Sequence, residues 1–215
     1  MNPDPDRPTR VRRTQAERSA STRARILETT VRCLCERGFA ATTTLLVAAE
    51  AGVSRGAMLH HFPTKADLMT YVVQVAYEEE MPEYETRFSV ISDPRDRLLA
   101  FPEIVWEVLS RPVSVAVLEI FLGSRSDPEM RARLSPLLAD ITRTGQRRLA
   151  TLFADISLPN LRPQIRLVVW AVRGLSLSRQ LEPHLGDPAP SVALLRRLFE
   201  DLLPQGDPVE GGLTT

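Results

Sequence analysis

Apolar residues in this chain recur every three to four positions through most of its length, and hardly any run alternates with a period of two. Alternation is what a half-buried strand needs, whereas a three-to-four spacing builds the buried stripe of a helix. The pattern therefore predicts an all-α fold. Proline sharpens it: Asp93-Pro94, Arg111-Pro112 and Asp127-Pro128 each put proline at a first helical turn, where its missing N–H costs nothing. Beyond Pro63 the spacing predicts helices at 64–80 (extending toward 90), 94–110, 112–123, 127–155, 161–181 and 190–203. A chain of 215 residues, 43% of them hydrophobic, can bury a substantial core in one large or two small domains.

Ahead of these helices, Ile26, Leu27, Thr30, Val31, Cys33 and Leu34 form a helical stripe. Gly38 is placed to end that helix, and Phe39 follows as an apolar anchor. The next segment, Thr43 to Leu68, fits a helix-turn-helix. Thr43 caps a short first helix whose inward face is Leu46, Val47, Ala48 and Ala51. Gly52 stands where a left-handed turn residue is required, and Val53 fills the angle between helices. Ser54 caps the second helix, with Met58 and Phe62 four apart toward the core. Arg55, Gly56, Ala57, Leu59 and His60 are left facing outward. Thr64-Lys65-Ala66-Asp67 then opens the following helix as a capping box.

Charge is unevenly spread. Residues 1–65 carry 11 basic and 6 acidic side chains, residues 66–215 carry 16 and 21, and Lys65 is the only lysine. A basic front and an acidic back point to an anionic polymer meeting the first part alone. Residues 1–18 read as a disordered arm, with Pro3, Pro5 and Pro8 among Arg7, Arg10, Arg12 and Arg13. The arm either reaches across a nucleic-acid backbone or stays solvated. Cys33 and Cys35 lie about 200° apart around a helix and cannot bridge without unwinding it. They are read as packing thiols in a reduced compartment, with a redox switch as the alternative. No His or Cys cluster has zinc-ligand spacing, and no nucleophile elbow or phosphate loop accompanies His60, His61 and His184. The expectation is a cytoplasmic, non-enzymatic protein with no metal, no cofactor and no membrane partner.

Ile26-Leu27, Gly38-Phe39, Thr43, Val47-Ala48, Ala51-Gly52-Val53-Ser54, Gly56, His61-Phe62 and Lys65 together resemble the TetR family of bacterial transcriptional regulators. The likeness covers roughly residues 23–70; the later helices match only in helical content and total length. It implies an all-α homodimer with an N-terminal three-helix DNA-binding domain at 19–66. A C-terminal helical ligand-binding and dimerisation domain would span 67–204, ahead of a flexible tail at 205–215. It also implies that Thr44 and Leu45 lie near DNA, with Ser54, Arg55, Gly56, Ala57, Leu59 and His60 on the reading helix. Arg55 matches guanine O6 and N7 by the geometry of its fork. His60, His61 and Lys65 suit phosphate or sugar contacts, although His61 is equally readable as a packed histidine. Leu59 stands where the family usually has tyrosine, so a phenol-to-phosphate contact is absent.

In the second half, Tyr77, Met81, Tyr84, Phe88, Phe101, Trp106 and Phe121 could line an apolar ligand cavity or simply form core. Glu78-Glu79-Glu80 reads as solvated surface, or else as a lure for a cationic ligand. The helix near 161–181 is apolar around much of its girth, so two of its faces should be covered. With the last helix it offers a dimer interface of Trp170, Gly174, Leu175, Ser178, Leu195, Phe199 and Leu202. The functional expectation is a repressor that binds a near-palindromic operator as a homodimer and is released by a small molecule. A DNA-binding regulator without a ligand, or an activator, is the alternative.

Overall fold

The computed structural model describes residues 14–154 and 161–202. Among these, every regular element is helical: ten α-helices and one short 3₁₀ turn. The first is α1 (Gln15–Ala41), capped by Thr14 with Glu17 in a reciprocal box. Residues Gln15 to Arg18 are therefore helical, and the arm expected to reach residue 18 ends sooner; residues 1–13 lie outside the described part. Gly38 interrupts α1 at φ +75° and ψ 175°, a backbone conformation essentially restricted to glycine. The chain thereby turns at the predicted place and delivers Phe39.

α2 (Thr44–Glu50) and α3 (Arg55–His61) follow, then α4 (Lys65–Ser89), which runs on through Pro82. The helix expected at 94–110 is two: α5 (Pro94–Leu99) and α6 (Phe101–Leu109), parted at Ala100. Pro102 explains the break, since it has no N–H for the Leu98 carbonyl and its ring crowds that turn. α7 (Pro112–Ser124), α8 (Pro128–Leu152), α9 (Leu161–Leu181) and α10 (Ala189–Leu202) complete the order. Each expected proline start holds at α5, α7 and α8. The tail read as flexible, 205–215, lies outside the described residues.

Two apolar cores organise these helices. One joins Ile26, Leu34, Val47, Met58, Leu68 and Val72 from α1 to α4 with Ala116, Val117 and Ile120 of α7 and Met130 and Leu134 of α8. The other gathers Phe88, Leu98, Phe101, Val105, Phe153, Val168 and Phe199 at the far end of α4. Burying a side chain such as Leu34 or Met58 fully is worth about 1.5–3 kcal/mol. The first core runs straight across the division drawn at residue 66, so α7 is as much a wall of the N-terminal helices as α1 is. No helix of the described residues is long and apolar enough to cross a membrane.

Candidate DNA-reading surface and ligand cavity

The turn between α2 and α3 is built as the residue types dictate. The Thr43 hydroxyl accepts from the Leu46 N–H at 3.1 Å, and the Ser54 hydroxyl accepts from the Ala57 N–H at 3.1 Å. Gly52 takes φ +62° with open space around its missing Cβ, so conformation alone demands glycine there. The Val53 N–H reaches back to the Ala48 carbonyl at 3.0 Å and closes the angle. Val47, Ala48, Ala51, Met58 and Phe62 are buried as expected. Thr64 and Asp67 form the reciprocal box that starts α4.

With the inward face spent on the core, α3 presents Ser54, Arg55, Gly56, Leu59 and His60 to solvent, and α2 adds exposed Leu45. Thr44, Ala57 and His61 are half-buried. Arg55 makes no hydrogen bond or ion pair among the described residues. Two arginines of α1 differ: Arg32 and Arg37 both grip Glu50 at the end of α2, which also takes the Cys33 thiol at 3.5 Å. Glu50 therefore ties the first two helices together, a role the sequence reading missed. Burial comes first in lowering the His61 pKa below its ordinary value, followed by the charges of Arg23 and His60.

Lys65 is less available than expected. Its ammonium donates to the Phe39 carbonyl at 2.6 Å and lies 4.0 Å from the centre of the Phe39 ring. Partial burial lowers its pKa. The residue read as a phosphate grip thus stitches the start of α4 to the Gly38 turn near the end of α1. The thiols of Cys33 and Cys35 are also engaged, Cys35 with the Pro112 carbonyl at 3.3 Å. Burial raises both pKa values, and the thiolate is the reactive form.

A cavity of about 530 Å³ opens between α4, α6, α8 and α9. Tyr77, Met81, Tyr84, Phe88 and Phe101 line it, five of the seven residues expected to do so. Trp106 and Phe121 do not. Trp106 is half-buried against the second core, with the Arg179 guanidinium 5.2 Å from its ring, and Phe121 packs against the first core. The wall also contains Ile165, Val169 and Arg173, three residues of α9 spaced four apart, and the Glu80 carboxyl. Glu80 is buried rather than solvated; only Glu78 and Glu79 of the acidic run face water. The Ser114 hydroxyl donates to Glu80 at 2.6 Å, and burial raises the Glu80 pKa. Burial raises the pKa values of Tyr77 and Tyr84 as well.

α9 and α10 divide their apolar residues between two faces. Val192 and Phe199 of α10 are buried, and Phe199, at 3% exposure, joins the second core stacked on Phe101 with ring centroids 6.3 Å apart. Phe199 is thus internal, and Leu195 packs beside it, so neither belongs to an outer face. The side chain of Leu202 lies outside the described part. Outward, α9 shows Leu167, Trp170, Gly174 and Leu181, and α10 shows Leu194 and Leu198. Leu175 and Ser178 are half-buried at its margin.

Residues 26–72 match the family model described as bacterial regulatory proteins, tetR family. A stretch of 120 residues is 30% identical to the transcriptional regulator CymR of Pseudomonas putida, covering 56% of this chain and 59% of that protein. The chain thus spans less than two thirds of that relative's length. Among solved structures, a transcriptional regulator from Rhodococcus sp. Rha1 superposes with a TM-score of 0.69 at 20% identity, over 84% of this chain and 95% of that one. A TetR-family member from Streptomyces coelicolor A3 does so with a TM-score of 0.60 at 25% identity, over 85% and 98%. Family model, relatives and fold agree with the geometry of the Gly52 turn: residues 26–72 carry the tetR-family pattern, and together these likenesses support a TetR-family transcriptional regulator.

Proposed function

We propose that this protein is a homodimeric transcriptional repressor, acting in the cytoplasm, that binds duplex DNA and is released from it by a small molecule in the α4–α6–α8–α9 cavity. The observation that carries the reading is the unengaged face of α3. Arg55, Leu59 and His60 stand exposed on a helix whose other side is locked into the core. In a helix-turn-helix that face enters the major groove, where Arg55 is the residue suited to bidentate contact with guanine. Ser54, Gly56 and Ala57 permit close approach, and Thr44, Leu45, His60 and His61 flank the groove.

The exposed Leu167, Trp170, Leu181, Leu194 and Leu198 support pairing of two copies through α9 and α10. Such pairing holds two reading helices about 34–36 Å apart, the repeat of successive major grooves. α7 touches both the N-terminal core and Glu80 in the cavity wall. A ligand that favours a different setting of α4 against α7 would then shift the population of DNA-competent dimers. The experiment is genome-wide mapping of bound DNA followed by fluorescence anisotropy on a recovered site. A near-palindromic site bound in the nanomolar range is expected; absence of any enriched site would overturn the reading.

A further inference from the structure

Arg173 is 5% exposed, and one of its terminal nitrogens has no hydrogen-bond partner. The other terminal nitrogen reaches only the Tyr77 hydroxyl, at 3.4 Å. Its guanidinium carbon lies 5.7 Å from the centre of the Phe121 ring. A guanidinium stays protonated in a protein, and burying a charge with an unmet donor is expensive. Few groups compensate it. Among the described residues no carboxylate forms an ion pair with Arg173. Glu80, the buried carboxyl of the same wall, is held by Ser114, and burial favours its neutral form. Glu85 is engaged with Arg148 at 2.6 Å, and Arg147 adds another positive charge near the mouth. The remaining lining is apolar or aromatic: Met81, Tyr84, Phe88, Phe101, Ile165 and Val169.

We propose that the cavity takes an amphipathic monocarboxylate, its carboxylate seated on Arg173 and the Tyr77 hydroxyl and its apolar body lying along Met81, Phe88 and Phe101. The carboxylate supplies the acceptor that the unpartnered nitrogen lacks and a direct ion pair that neither Glu80 nor Glu85 of the wall makes with Arg173. Charge-assisted bonds of this kind are stronger than those between neutral groups. One guanidinium fork suits one carboxylate, and the apolar lining excludes molecules polar along their length. The inference rests on the cavity being a ligand site, as the functional reading holds.

The test is isothermal titration calorimetry on the full chain without DNA, with three matched probes: 4-phenylbutyrate, 4-phenylbutanamide and 4-phenylbutylamine. The acid should bind at least tenfold more tightly than the amide, and the amine least tightly. Arg173→Gln should erase the preference for acid over amide while leaving amide binding in place. Tyr77→Phe, which disturbs packing least, should narrow the preference several-fold, and this holds the test open if Arg173→Gln fails to fold. Equal binding of acid and amide, tightest binding of the amine, or no heat from any probe would overturn the proposal. Because DNA is absent from the titration, a failure of groove binding leaves its outcome untouched. Acid that binds yet does not release DNA would count against the repressor reading and not against the anion site.

Discussion

Gly123 of α7 lies against the Phe39 ring so closely that a methyl group at Gly123 would overlap the ring. Phe39 is the anchor delivered by the Gly38 turn, and Lys65 covers its ring from the start of α4. Three helices therefore meet on one aromatic side chain. Gly123→Ala should destabilise the protein by about 1–3 kcal/mol, the usual effect of overfilling a packed contact. Thermal unfolding measures this, and the loss should shrink in a Phe39→Ala background, where the methyl has room. Equal losses in both backgrounds would dismiss the contact as the cause.

Arg55→Ala should reduce operator affinity by about 1–3 kcal/mol, the worth of a bidentate base contact. Arg55 is exposed and bonded to nothing in the protein, so the melting temperature should not move. Anisotropy titrations against the operator and a shuffled duplex separate base reading from charge. A loss equal on both sequences would demote Arg55 to a phosphate contact.

Lys65→Met should lower stability by about 1–2 kcal/mol through the lost bond to the Phe39 carbonyl, with the apolar stem kept. The slope of log affinity against log salt should stay as it was. A slope shallower by about one would instead restore Lys65 to the phosphate contacts.

Glu80 gives a pH signature. Burial raises its pKa in the folded protein above the unfolded value, so the native state binds the proton more readily. Its contribution to stability is then fully present below the unfolded pKa and is lost as pH rises through the folded one. Glu80→Gln should flatten that decline, leaving the variant relatively more stable at neutral pH than at pH 4. Denaturant unfolding at a series of pH values would reveal it. Parallel curves for variant and wild type would place the proton elsewhere.

Leu198→Glu should convert dimers to monomers and weaken operator binding. At 51% exposure Leu198 packs little within its own chain, so the monomer should remain folded. Sedimentation velocity reads the change. A folded variant that stays dimeric would move the interface off α10.

The helix-turn-helix was fully legible because short-range rules fix it. Thr43, Gly52, Ser54 and Thr64 each act through backbone geometry within three or four residues, and each stands where the sequence puts it. The outer faces were harder. α10 is apolar on two sides, and periodicity separates Val192 and Phe199 from Leu194 and Leu198 without saying which pair meets its own core. Phe199 was assigned outward for that reason. The cavity was half legible: its aromatic residues on α4 stood out, but Arg173 lies about a hundred positions from Tyr77 in sequence, beyond any local signal. Glu80 looked like one more surface charge in an acidic run until α7 brought Ser114 beside it.

The shared core of α1 to α4 with α7 and α8 bears on how regulators of this kind can be recombined. A graft that moves residues 19–66 alone onto another effector half would strip Ile26, Leu34 and Val47 of the Ala116, Val117 and Ile120 surface they share a core with. The Phe39 ring would also need a glycine waiting on the recipient's seventh helix. The transplantable unit is therefore not a contiguous stretch of chain. It is the N-terminal helices together with the inner faces of α7 and α8, and a hybrid would keep this core only if they travel together.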